Sequence, residues 1–171
     1  MTRRRVVGTP AAALILLLLV ASVVGVLPVN LMRVGSDSMA PTLTSGDLVA
    51  LTRWHGAVDR FDVVAVQPPG NGGTVLLKRV VGLGGDTVTI EDGVLVVNGE
   101  PVCEPWSDPA RLDGVWHAPV VVPDGAVFLL GDEREGSVDS RDFGPVAEDG
   151  VVGIVLARTW PHPGTVPTTV C

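Results

Sequence analysis

Lysine is almost absent from this chain: of its twelve basic residues only Lys78 is not arginine. Arginine cannot release its proton near neutral pH, whereas a desolvated lysine can, so the single lysine is a candidate base. Cysteine and histidine are equally scarce. His55, His117 and His162 stand apart in Trp54-His55-Gly56, Trp116-His117-Ala118 and Pro161-His162-Pro163, and no Cys/His spacing suggests a metal site. Cys103 and Cys171 allow one disulfide, with the pairing left open by the sequence. Positive charge is lacking beyond residue 33, where eight basic residues face nineteen acidic ones, a net −11. That excludes the basic surface that nucleic acid or anionic lipid would attract. Internal repeats are missing, and no helical periodicity of useful length appears outside the first thirty residues.

What the chain does have is an uncharged run from Val6 to Met32, with Ala11–Val24 almost wholly aliphatic, behind Arg3, Arg4 and Arg5. A helix needs about 20 apolar residues to cross a bilayer, so this run is long enough to span with some tilt. Basic residues stay on the cytoplasmic side, which puts the N-terminus inside and the acidic remainder outside. A cleaved secretory signal has the same basic and apolar regions, and Ala21-Ser22-Val23 resembles part of a cleavage site. The apolar run continues past it through Val24, Val26 and Leu27, which favours an anchor. We therefore expect residues 1–33 to form a cytoplasmic tip and transmembrane anchor, and residues 34–171 an extracytoplasmic domain.

The apolar segments beyond residue 34 are short, β-branched and bounded by turn residues, the pattern of strands. Expected strands are Leu48–Leu51, Val63–Val66, Val75–Val81, Thr87–Glu91, Val94–Val97, Val120–Val122, Ala126–Leu130 and Val151–Arg158. Asp92-Gly93 and Asn98-Gly99 are hairpin turns in which both residues take positive φ. Pro68–Gly73 reads as a mobile loop, and Glu104–Pro119 as an irregular insertion. The fold expected is mainly β, an antiparallel sheet or barrel-like catalytic domain on a single N-terminal transmembrane helix.

Chemistry concentrates in three places. Ser38 lies in a turn that Pro41 keeps from becoming a helix. A serine hydroxyl is a weak nucleophile and needs a neighbouring base. None of the histidines has an orienting carboxylate nearby, so Lys78 is the better partner. Its setting, Val75-Leu76-Leu77-Lys78-Arg79-Val80-Val81, would desolvate the ammonium and lower its pKa; a hydrated lysine on an edge strand is the alternative. The third place is the polar, glycine-rich stretch from Gly131 to Val146.

Together these segments resemble the type I signal peptidases, the membrane-bound Ser/Lys endopeptidases that remove signal peptides. Ser38-Met39-Ala40-Pro41-Thr42-Leu43 matches the S-M-x-P-T-L box. Arg60-Phe61-Asp62-Val63-Val64 resembles R-G-D-V-V, with Phe61 in place of glycine. Lys78-Arg79-Val80-Val81-Gly82-Leu83-Gly84-Gly85-Asp86 matches K-R-x-x-G-x-x-G-D. Gly131–Val146 resembles G-D-N-R-x-x-S-x-D-S-R-x-x-G-x-V, with Glu133 in place of asparagine. The resemblance implies that Ser38 is the nucleophile and Lys78 its general base. It implies an oxyanion hole from the Ser36 hydroxyl and the Ser38 N–H, and a Ser137 hydroxyl that orients the lysine. Asp139, Arg141, Arg79 and Asp132 would form the scaffold; Val34, Met39, Leu43, Val49, Leu76 and Leu77 would line pockets for small residues at −1 and −3. It implies no cofactor and no metal. The implied partners are exported preproteins through their signal peptides, the lipid bilayer and the secretion translocon, with the enzyme single-pass in the plasma membrane. A relative dedicated to one pilin-like substrate would read the same way. A self-cleaving repressor is disfavoured by the anchor, and an inactive tethered scaffold has no use for a buried amine.

Overall fold

The structure, a computed structural model, describes residues 11–14, 17, 29–53, 56–68, 70, 72–107 and 116–171. Among the described residues, twelve strands form two antiparallel sheets. The larger contains β1 (Val29–Arg33), β2 (Leu48–Thr52), β3 (Val63–Val66), β4 (Leu76–Leu83), β9 (Ala126–Leu130), β10 (Val146–Ala147), β11 (Val151–Trp160) and β12 (Gly164–Thr165). Its order is β1-β2-β11-β3-β4-β9-β10, with β12 on β11, and it curls into a half-barrel. The smaller sheet has the order β7-β6-β5-β8, from β5 (Thr87–Glu91), β6 (Val94–Val97), β7 (Glu100–Pro101) and β8 (His117–Val121). A short helix, α1 (Ser140–Phe143), lies between β9 and β10.

The expected strands are all present, four of them with the same bounds. Asp92 and Gly93, then Asn98 and Gly99, take positive φ and turn β5 into β6 and β6 into β7. Four short elements escaped notice: β7, β10, β12 and α1 carry too few residues to show a period. Two readings need correction. Val29–Met32, counted with the anchor, belong to β1, paired with β2 from Val29↔Thr52 to Arg33↔Leu48. Strands in this fold are as apolar as the run before them, so composition draws no line between the two. The other correction concerns the insertion, whose last residues, His117–Pro119, open strand β8 against β5.

Among the described residues no helix is long and apolar enough to cross a membrane. The expected anchor falls mostly outside the described residues; residues 11–14 and 17 are helical and exposed. Cys103 and Cys171 form a disulfide with Cα atoms 5.5 Å apart.

Three apolar clusters hold the domain together. One packs Val34, Met39, Leu43, Val49, Val63 and Leu77 beneath the turn that bears Ser38. A second joins the two sheets through Val81, Val88, Ile90, Leu95 and Phe128. Gly82 permits that junction: a Cβ there would lie 2.5 Å from Val88 Cγ2 and 3.2 Å from Phe128. The third cluster fills the other face, with Val64, Val66, Val80, Val127 and Leu129. Strand β4 lies between β3 and β9 with apolar layers on both sides, so its six central residues are buried. A strand covered on both faces reads as a continuous apolar run, and Lys78 sits in the middle of this one.

Candidate active site

The turn that bears Ser38 leaves β1 and is tied down by its own backbone. Val34 N–H donates to the Asp47 carbonyl at 2.8 Å, Ala40 to Asp37 at 2.9 Å, and Leu43 to Met39 at 2.8 Å. The Glu133 N–H donates to the Ser38 carbonyl at 3.2 Å, joining this turn to the 131–136 loop. Opposite it, β4 presents Lys78, whose side chain is only 2% exposed. Its Nζ lies 2.8 Å from Ser38 Oγ in a hydrogen bond. Burial lowers the Lys78 pKa from the ordinary 10.5 to about 8; Asp139 pulls it upward and Arg141 downward, both more weakly. An amine with that pKa is neutral for a useful fraction of the time near pH 8, and a neutral amine can accept a hydroxyl proton.

Ser36 is exposed, and its hydroxyl donates to Ser38 Oγ at 3.3 Å. Ser137 departs from expectation. Its hydroxyl is buried and makes no hydrogen bond, to Lys78 or to any other group. It lies against Gly131, where an added Cβ would come 2.2 Å from Ser137 Oγ and 2.6 Å from the Ser38 carbonyl oxygen. Glycine at 131 is thus a requirement of close approach between the Ser38 turn and the Ser137 segment.

The four charged scaffold residues form two separate pairs. Arg79 grips Asp132 in a fork, Nε to Oδ1 at 2.8 Å and Nη2 to Oδ2 at 2.7 Å, with both side chains about 1% exposed. The Thr42 hydroxyl also donates to Asp132, which links the scaffold to the Ser38 turn. Asp139 caps α1, accepts from Arg141 Nε at 2.8 Å, and accepts from the Gly131 N–H at 2.9 Å. Burial would raise the Asp139 pKa, but the Arg141 guanidinium and the two backbone N–H groups hold it below the usual carboxylate range.

Two clefts meet at Ser38. One, of about 260 Å³, is lined by Val34, Ser36, Met39, Val75, Leu76 and Leu77, among others, and is mostly apolar. The second, of about 350 Å³, is lined by Asp37, Leu76, Lys78, Glu133, Gly136 and Val138 beside Ser36 and Ser38. Val34, Met39, Leu76 and Leu77 line the apolar cleft. Leu43 and Val49 do not: both are fully buried, packed behind Val34 and Met39 as the backing of that wall. Of the histidines, His55 lies outside the described residues. His117, in β8 of the smaller sheet, packs against Phe128 of β9, and His162 is exposed beyond β11; neither is hydrogen-bonded to Ser38. No group of three or more metal-ligating residues occurs among the described residues.

Sequence reasoning missed several members of the site. Thr42 and Arg134 were legible as motif letters without a role. Glu104 and Trp106 carried no signal at all, because they lie in the stretch read as irregular.

This arrangement, an antiparallel half-barrel with a serine hydroxyl against a buried amine of the inner strand β4, is that of a hydrolytic enzyme. The family described as "Signal peptidase, peptidase S26" matches residues 6–160. Signal peptidase I of Bacillus caldolyticus is 38% identical over 75% of this chain and 78% of its own length. Signal peptidase I V of Bacillus subtilis is 35% identical over 72% of this chain and 81% of its own. The crystal structure of a signal peptidase I from Enterococcus faecalis V583 superimposes with a TM-score of 0.51 at 32% identity, covering 59% of this chain and 98% of that one. The chain belongs to the signal peptidase family, peptidase S26, and is a serine endopeptidase.

Proposed function

We propose that the protein is a membrane-anchored endopeptidase that cleaves signal peptides from exported preproteins after small residues at −1 and −3, using a Ser38/Lys78 dyad. The observation that carries the reading is the 2.8 Å contact between a buried amine and the Ser38 hydroxyl, which opens onto both clefts. Neutral Lys78 takes the Ser38 proton as Oγ attacks the scissile carbonyl carbon. The tetrahedral oxyanion is met by the Ser38 N–H and the Ser36 hydroxyl; donors of this kind are commonly worth ~3–4 kcal/mol. The Lys78 ammonium returns the proton to the departing amine, which frees the mature chain. Lysine, neutral again, then activates water to hydrolyse the Ser38 ester. The first of these transfers joins two atoms that already lie 2.8 Å apart.

The apolar cleft takes the residues before the scissile bond, and Met39, Leu76 and Leu77 on its lining suit small apolar side chains there. The segment before β1 serves as the anchor, with residues 1–28 rather than 1–33 available for it, and the β-domain stands on the outer face. Tethering the site next to the bilayer raises its effective concentration toward cleavage sites that emerge there. Lipid and the translocon are the partners that this placement requires.

The test is mutational. Ser38→Ala and Lys78→Ala should each abolish processing of a preprotein while the circular dichroism of the domain stays the same. Retained cleavage by Lys78→Ala, with loss in His117→Ala or His55→Ala, would replace the dyad with a histidine mechanism.

A further inference from the structure

Behind the site, two segments outside the four motif boxes close on the charged scaffold. The first follows β7. Trp106 is 2% exposed, and its ring lies 4.0 Å from the Arg79 guanidinium. Its indole N–H donates to Glu104 at 3.2 Å, and Glu104 pairs with Arg134 in a contact that leaves both side chains almost fully buried. Arg134 in turn donates through Nε to the Gly131 carbonyl at 3.0 Å, on the tight turn that touches Ser38 and Ser137. The second segment is the stretch 166–171. Val166 is packed in the cluster beneath the nucleophile turn, and the Pro167 carbonyl accepts from Arg79 Nη1 at 2.6 Å. The Cys103–Cys171 disulfide joins the two segments where they meet.

Phe61 belongs to the same arrangement. It occupies the place of the family's glycine with φ 74, a left-handed conformation that disfavours side chains. Its ring lies 5.2 Å from Trp106, and its carbonyl accepts from Arg79 Nη1 at 2.8 Å. A phenylalanine held where glycine is easier points to what the ring does there: it closes the aromatic cover over Arg79. Mere core filling is a poor account of the whole, since two guanidinia are kept buried where apolar residues would pack at less electrostatic expense. Both guanidinia act on the catalytic loop, Arg79 through Asp132 and Arg134 through Gly131.

We propose that Glu104 and Trp106 are positioning residues for the peptidase reaction, setting the catalytic loop through Arg134 and Arg79, and that the Cys103–Cys171 disulfide locks them in place. The inference rests on the Ser38/Lys78 reading for its chemistry. Reduction then slackens the clasp and lets the Gly131 turn, and with it Ser38, drift from Lys78.

The experiment uses the full chain in detergent micelles with a preprotein substrate, at a pH above the Lys78 pKa. The oxidised enzyme is compared with the reduced enzyme, Glu104→Gln, Trp106→Ala and Trp106→Phe. Ser38 sites that react with a serine-directed acylating reagent are counted by mass spectrometry, and kcat is expressed per reactive site. Reduction, Glu104→Gln and Trp106→Ala should each lower kcat per site roughly 10-fold or more, the scale of a sub-ångström misplacement, while KM holds. Trp106→Phe, which keeps an aromatic face over Arg79, should recover most of the rate, and reoxidation should restore the reduced enzyme. If Trp106→Ala fails to fold, reduction and Glu104→Gln decide alone. Unchanged kcat per site, with only melting temperature or the count of reactive sites reduced, would make the clasp a structural staple and overturn the proposal. Ser38→Ala separates the two readings: if it is inactive while clasp variants cleave at the wild-type rate, only the clasp falls; if it still cleaves, both fall.

Discussion

Replacing Lys78 by methionine should destroy activity and stabilise the protein, and the pH dependence of that stabilisation is unusually clean here. The Lys78 pKa falls from 10.5 to about 8 on folding because the ammonium loses its hydration. Below pH 8 both folded and unfolded chains hold the proton, so the folded state bears the full cost of a buried charge. The shift amounts to about 3 kcal/mol at ~1.36 kcal/mol per unit. Between pH 8 and 10.5 the unfolded lysine keeps a proton that the folded one has released, so stability rises with pH across that window. Above 10.5 both are neutral and the penalty has gone. Few proteins would show this rise, because tyrosines, other lysines and thiols titrate in the same range. This sequence has no tyrosine and no second lysine, and both its cysteines are in the disulfide. The assay is equilibrium unfolding in guanidinium, followed by tryptophan fluorescence, in a Ser38→Ala background that prevents self-digestion. At pH 7 the Lys78→Met chain should be more stable by about 3 kcal/mol, since the Ser38→Ala background has already removed the Ser38 hydrogen bond from both chains. The gap should close as the pH approaches 10.5. Two stability curves that run parallel from pH 7 to 11 would mean that the amine keeps its ordinary pKa and is not shielded from water.

Cleavage itself should follow the same group: kcat/KM should climb with pH through about 8 and level off above it, the free-enzyme profile of a lysine base. A plateau already reached near pH 7 would point to histidine. Gly131→Ala should lower kcat at least 10-fold, since its Cβ would lie 2.6 Å from the Ser38 carbonyl and would shift that segment by a fraction of an ångström. Single-turnover cleavage measures this directly. Asp132→Ala strands Arg79 in the interior and should destabilise the fold by about 3–5 kcal/mol in denaturant unfolding, the usual result of removing one partner of a buried pair.

How much of this was visible in the residues depends on whether a feature is local. Strands such as Val63–Val66 and Thr87–Glu91 declared themselves because β-branched runs and Asn-Gly or Asp-Gly turns act over a few neighbours. The candidate pair was legible for another reason: a lone lysine in an apolar run, and a serine before a proline, are odd enough to stand out without knowledge of the fold. β1 was lost inside a longer apolar run, because a strand half-covered on one side and a membrane helix draw on the same residues. Pocket walls were harder to read. Leu43 and Val49 have the same chemistry as Val34 and Met39, and only the stacking of one layer on another decides which face the cleft and which stand behind.

The clasp was invisible for a further physical reason. Glu104 and Trp106 act on Arg134 and Arg79, partners about 30 residues away in the chain on either side, through single contacts with no periodic trace. A departure from the motif marked the spot all the same. Phe61 replaces a glycine at a backbone conformation that glycine tolerates best, and such a replacement persists only when something else holds the ring. The ring is held by Trp106, and Trp106 covers the guanidinium that fixes Asp132 to the nucleophile turn. The irregular segment and the irregular motif letter are therefore two ends of one contact, and each accounts for the other. By the same logic Phe61→Gly should relieve the backbone yet expose one side of Trp106, so its effect on stability should be small while its effect on kcat follows that of Trp106→Ala. A loss of stability without a loss of rate would separate Phe61 from the clasp.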